Sequence, residues 1–247
     1  VQMNQCASAV GNEVLYDLLR KPVFEKQELE NRQSLMEFFT SHEEERVNLQ
    51  MLLSGIRKPG NVSVFEAIHV AKEVNIQSGL VQTLQFLAFF LSLLCFMIRP
   101  NPGVYVFLAV AVFNIATYMG VKQEIESYLV CFRCVIQLLQ AQKGLKKLNI
   151  PELSSYVEQG ETYAKKLSGF QRGASLVIDR SNAGGGVEGM VMDYVRMLTH
   201  VDLIKFRDLM KVMKEHQEDI QGLLYLFGYL DSMISIASVR KALPYYC

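Results

Sequence analysis

Two uncharged stretches, separated by five residues, limit what this chain can become. Leu80 to Ile98 (LVQTLQFLAFFLSLLCFMI) carries no charge. After Arg99-Pro100-Asn101-Pro102-Gly103, the run from Val104 to Val121 (VYVFLAVAVFNIATYMGV) carries none either. At about 1.5 Å per residue, each would extend roughly 27–28 Å as an α-helix, close to the ~30 Å hydrocarbon thickness of a bilayer. Two prolines and a glycine between them stop one helix and turn the chain. The pattern predicts a transmembrane helical hairpin over residues 80–121. The competing reading is a helix pair buried in a soluble core, because Gln82, Thr83, Gln85, Ser92, Asn114 and Thr117 are polar. Helices that are apolar on nearly every face would then need protein all around them. The rest of the chain is amphipathic and ill suited to wrap them.

A hairpin turning near Asn101 sets Gln85 opposite Thr117 and Ala88 opposite Asn114. Gln82 and Gln85 share a helix face and are expected to bond across to Asn114 or Thr117, since an unpaired amide in hydrocarbon is costly. Ala109, Ala116 and Gly120 are expected to form a small-residue contact face, with Ala116 and Gly120 the tightest pair. Lys72 precedes the hairpin and Lys122 and Arg133 follow it, with Arg57 and Lys58 further out; only Arg99 lies in the turn. That asymmetry predicts a membrane protein with both long flanks cytoplasmic.

Lys+Arg and Asp+Glu balance at 25 each over 247 residues, so no global basic field advertises nucleic-acid binding. A local patch is not excluded by that balance. Five cysteines, scattered through helical sequence, argue against a secreted disulfide framework. Cys131-Phe-Arg-Cys134 has CxxC spacing but no second pair or histidine partner, and reads as two half-buried helix thiols rather than a zinc or redox centre. The chain starts at Val1 without a signal-peptide pattern and stops at Cys247. Both ends are expected to be cuts in a longer protein.

Along the chain, periodicity predicts helices throughout and no strand. Asn12 is the expected N-cap of a helix over Glu13–Arg20, halted before Pro22. Leu29, Leu35, Met36 and Phe39 mark one buried stripe on a helix over Glu25–Phe39. Ser41-His42-Glu43-Glu44 and Ser63-Val64-Phe65-Glu66 read as capping boxes. The first opens a helix with Val47, Met51, Leu52 and Ile56 inward; the second opens one with Phe65, Ile68 and Ala71 inward, His69 being solvated. Gln123–Leu148 is a long helix with Ile125, Leu129, Phe132, Val135, Ile136 and Leu139 on one side. Asn149 and Pro151 restart the chain as cap and early helix residue, and the next helix runs to about Leu167. The glycine-rich run Ser181–Gly189 lacks the Lys-Ser/Thr of a phosphate-binding loop and reads as a connector. Met190–Leu198 and Val201 to about Met213 are helical. A final helix over His216–Val239 turns Ile220, Leu223, Leu224, Phe227, Leu230, Ile234 and Ala237 inward.

No nucleophile–base pair, paired carboxylates or metal cluster stands out, so no catalysis is expected of this chain alone. Lys205, Arg207, Lys211 and Lys214 alternate with Asp202, Asp208, Glu215 and Glu218, the pattern of a solvated face.

Two stretches carry a resemblance. Leu15-Tyr-Asp-Leu-Leu-Arg-Lys-Pro-Val-Phe-Glu-Lys-Gln-Glu-Leu-Glu-Asn-Arg-Gln33 resembles the opening of the helical core, or lever, domain of the MutS family of DNA mismatch-repair ATPases, with Pro22, Leu29 and Arg32 in the matching places. Tyr229-Leu-Asp-Ser-Met-Ile-Ser-Ile-Ala-Ser-Val239 resembles the family's "Leu-Asp … Ser-x-Ala" helix through Leu230, Asp231, Ser235 and Ala237. That helix leads into the ATPase domain in the family. No Phe-x-Glu wedge and no Walker A loop occur here. The resemblance implies a membrane-anchored relative whose lever helices remain. It also implies DNA as a partner, a downstream ATPase domain using ATP and Mg, and a homodimer formed through that domain. The expected architecture is an all-α, lever-like core with an inserted two-helix transmembrane hairpin. Residues 1–79 and 122–247 are the two parts of the core, and 80–121 the hairpin. The alternative is a membrane scaffold or protein-interaction module with no nucleic-acid role.

Overall fold

The computed structural model describes residues 4–57, 63, 65, 80–178 and 187–243. Every regular element among them is helical. The chain divides into two compact units, one from Val1–Val70, Arg133–Ser168 and His216–Cys247, the other from Ala71–Phe132 and Gly169–Glu215. This grouping differs from the expected boundaries at 79 and 121. The apolar pair shares its unit with residues 122–132 and 169–215, because side chains of the later segment pack on it.

In the first unit, α1 (Ala9–Arg20), α2 (Lys26–Ser41), α3 (Glu43–Leu53) and α6 (Ser154–Lys166) pack against α10 (Gln217–Ala242). Helix α10 is the core: Ile220, Leu223, Leu224, Phe227, Leu230, Ile234 and Ala237 are buried on one side, and Leu226 and Met233 on another. A helix apolar around most of its circumference needs such an envelope. Helix α1 begins earlier than expected, with Ser8 rather than Asn12 as N-cap; the Ser8 hydroxyl accepts from Gly11 N at 2.9 Å. The capping box at residue 41 is absent, since Ser41 Oγ donates back to Glu37 O and His42 occupies the cap position. Helix α3 also turns differently: Val47 and Met51 are exposed while Leu49 and Leu53 are buried, although Ile56, just past its end, is buried as expected. Its sequence offers apolar residues on two opposed sides, and contact with α2 and α10 selects one. Leu29 on α2 is exposed as well, so that helix's buried stripe starts at Leu35. The helix expected after Ser63, with Ile68, His69 and Ala71, lies outside the described residues.

The second unit holds α4 (Leu80–Ile98), the first part of α5 (Pro100–Leu148), α7 (Ser168–Ile178), α8 (Val187–Thr199) and α9 (Val201–Glu215). The expected five-residue turn shrinks to Arg99 alone. Prolines 100 and 102 are tolerated in the first turn of α5, where an N–H would lack a helical partner anyway. The second apolar stretch and the helix expected over Gln123–Leu148 are one continuous rod. It stops at Asn149, whose φ of 49° is left-handed. A single 3₁₀ turn over Pro151–Leu153 then leads into α6. Helix α7 went unpredicted. His200, at φ 54°, separates α8 from α9. Phe132 meets the rings of Phe170 at 5.4 Å and Phe206 at 5.3 Å to give this unit its aromatic centre.

Candidate functional site

Among the described residues three helices are long and apolar enough to cross a membrane, and their burial separates them. Within an 18-residue apolar window of each, 6% is buried in Val81–Ile98 and 17% in Pro100–Gly120, against 67% in Gln217–Ala242. The last is the core helix of the first unit. The first two turn Leu84, Leu87, Leu91, Tyr105, Val112 and Phe113 outward, all more than half exposed.

Their mutual seam is narrow. The Phe107 ring lies tilted against those of Phe89 (5.8 Å) and Phe96 (6.2 Å), and a Cβ on Gly103 would fall 2.5 Å from Phe96 Cα. Further along, Gln85 Nε2 donates to Thr117 Oγ1 at 3.0 Å. Asn114 Nδ2 donates to Leu198 O at 2.8 Å and, more weakly, to Gln85 O at 3.4 Å. Gln82 Oε1 is buried and without a partner among the described residues. The small-residue face does not form. Ala109, Ala116 and Gly120 are exposed, and a Cβ on Gly120 would meet nothing within 4 Å. At 100° per residue, a seam through Gly103, Phe107 and Asn114 carries positions 116 and 120 to the far side.

Next to this seam lies a polar cluster the sequence reading missed. Tyr118 Oη donates to Asp202 Oδ2 at 2.7 Å, and His200 Nε2–H donates to Asn114 O at 3.0 Å. Asp202 was grouped with solvated charges, yet it is buried beside Leu203. The available signal was Thr199-His200-Val201-Asp202, a polar run between two helical periods that marks a helix junction.

No protein-family model, curated protein or solved structure matches the chain. The residues of the MutS resemblance fall into two groups by environment. Leu230, Asp231, Ser235 and Ala237 are all buried on α10. Asp231 Oδ1 accepts from Ala7 N at 3.0 Å; Oδ2 accepts from Ser8 N at 2.7 Å and Ser8 Oγ at 2.6 Å. Ser235 Oγ accepts from Gln5 N at 2.8 Å. One helix thus clamps residues 5–8 and the start of α1. The fit leaves no space at Gly11, where a Cβ would sit 2.1 Å from Asp231 Oδ2. Burial raises the Asp231 carboxyl above its ordinary range, and hydrogen bonds from Ser8 and Ala7 offset only part of that. Burial, then the charge of Asp231, pushes the neighbouring Cys6 thiol up to about 12. Pro22 and Leu29, by contrast, are exposed, and Arg32 pairs with Glu28 along α2.

Among the described residues no group of three metal-binding side chains occurs. Cys131 and Cys134 are both buried, and burial raises the Cys131 thiol above its ordinary value. That is the behaviour of core thiols, not of an activated pair. The arrangement offers an exposed apolar surface and a clamp between helices.

Proposed function

We propose that this chain is the lever and membrane anchor of a MutS-related ATPase, with Leu80–Ile98 and Pro100–Gly120 crossing the bilayer as a hairpin. The observation that carries the anchor is the outward apolar surface of these two helices, beside a third of similar length that the fold buries. In water that surface would be strongly unfavourable, at roughly 25 cal/mol for each Å² of apolar area left exposed. Basic residues on both flanks, against Arg99 alone in the turn, support cytoplasmic flanks.

The kinship rests on the resemblance, and the clamp gives its second motif a physical task. Asp231 and Ser235 tie the N-terminal segment to the helix that leads, in the family, into the ATPase. Movement of α10 on ATP and Mg binding downstream would be passed to α1 through that tie. DNA and a second subunit, bound through the ATPase domain, are the partners this reading assigns to the full protein. It is tested by the coding sequence beyond Cys247, which is expected to continue into a glycine-rich loop ending in Gly-Lys-Ser/Thr. A continuation without such a loop overturns it.

The balanced charge favours a second reading, a membrane scaffold with no nucleic-acid role. Salt-dependent DNA binding by the full-length protein separates the two, since phosphate contacts weaken steeply as salt rises.

A further inference from the structure

Helix α8 presents a second apolar surface, distinct from the paired helices. Met190, Val191, Tyr194 and Val195 are 63%, 57%, 61% and 47% exposed. Their spacing places them on one side of the helix, and Leu198 continues the same stripe. Met197, at the edge of that stripe, turns instead to Tyr118 and Leu203. We propose that this face of α8 lies in the bilayer, so that the chain meets lipid through three elements rather than two.

The occupant follows from continuity. Leu198 O accepts from Asn114 Nδ2 at 2.8 Å, and α8 packs against α4. Asn114 stands about 9 Å along its helix from Gly120, the end of the apolar window. The stripe therefore meets the apolar pair at the level of Val112 and Phe113, whose side chains are exposed. A helix of 13 residues is about 20 Å long, too short to span but long enough to lie along the interface. Tyr194, with an apolar ring and a polar tip, suits the headgroup boundary. Arg196, two positions on, falls on the opposite side of the helix. This inference rests on the hairpin being membrane-embedded.

The chain contains no tryptophan, so a single introduced one reports its own surroundings. Three variants of the whole chain, Tyr194→Trp, Phe113→Trp and Tyr225→Trp, are reconstituted in phosphatidylcholine vesicles containing brominated acyl chains. The expected result is loss of emission for Tyr194→Trp and Phe113→Trp, with Tyr194→Trp quenched more by bromines near the headgroup. Tyr225→Trp, exposed on the first unit, is expected to keep its emission. Quenching of Phe113→Trp alone overturns the role of α8 and leaves the hairpin anchor standing. A blue-shifted but unquenched Tyr194→Trp overturns it in favour of a protein partner on that face. If neither is quenched, the anchor itself fails. Equal quenching of all three also overturns the inference, since the stripe would then be no more lipid-bound than the core unit.

Discussion

Asp231 shows how one carboxylate can define the start of another element. It is fully buried and satisfied by two backbone N–H groups and a hydroxyl from residues 7 and 8. Asp231→Ala strands those buried donors, and the expected loss is about 3 kcal/mol in urea unfolding. Gly11→Ala tests the same contact from the other side. Its new methyl collides with the carboxylate, and a destabilisation of about 2 kcal/mol is expected. Asp219 behaves differently. Burial works against its charge, but hydrogen bonds from Lys166 (2.8 Å) and His216 (3.2 Å) outweigh it and hold the carboxyl below its ordinary value. A lowered folded-state value means stability present above the ordinary aspartate pKa of 3.8, and lost as pH falls through the folded value. Asp219→Asn should therefore lower stability at neutral pH and flatten its decline in acid, measured by denaturation at a series of pH values. An unchanged acid decline would show that the pair contributes nothing. At this scale the sequence marked Asp231 and Ser235 through a motif. Asp202 was hidden because an aspartate at the head of a charged helix looks solvated until a tyrosine from a distant helix is seen to reach it.

At the scale of elements, the seam between α4 and α5 is the test of register. Gly103→Ala places a methyl 2.5 Å from the backbone of Phe96, so the helices must part there. Gly120→Ala meets nothing, and gains the ordinary helix preference of alanine over glycine. Melting in detergent should fall for the first substitution and hold or rise for the second. The reverse order would mean that Ala116 and Gly120 form the contact after all. The pairing of Gln85 with Thr117 followed from the position of the Pro-Asn-Pro-Gly break, because a hairpin turn fixes which residues face each other. The rotation of each helix about its axis did not follow. Small residues on the outer side of α5 looked as suitable for contact as the phenylalanines that make it. The end of α6 near Leu167 was legible, but α7 beyond it was not, because Gly169 and Gly173 weaken its helical signal. The run-through from the apolar stretch to Leu148 was missed because a change from uncharged to amphipathic sequence suggests a boundary that the backbone does not need.

At the scale of the whole molecule, composition settles little. Equal numbers of acidic and basic residues and a half-hydrophobic chain suit a soluble helical protein as well as a membrane one. The proposed anchor rests instead on how the apolar helices are distributed. One long apolar helix is sealed inside the first unit, while two others keep their outer faces bare. The all-helical class was readable from periodicity. A core assembled from segments on both sides of the apolar pair was also expected, and both units gather segments distant in sequence. The proposed anchor also predicts where the chain is found when it is expressed in cells. Membranes are washed with alkaline carbonate and sedimented, and the chain is followed through pellet and supernatant. The account predicts that it stays in the pellet and is released only by detergent. Recovery as a stable monomer in plain buffer, without detergent, would contradict it.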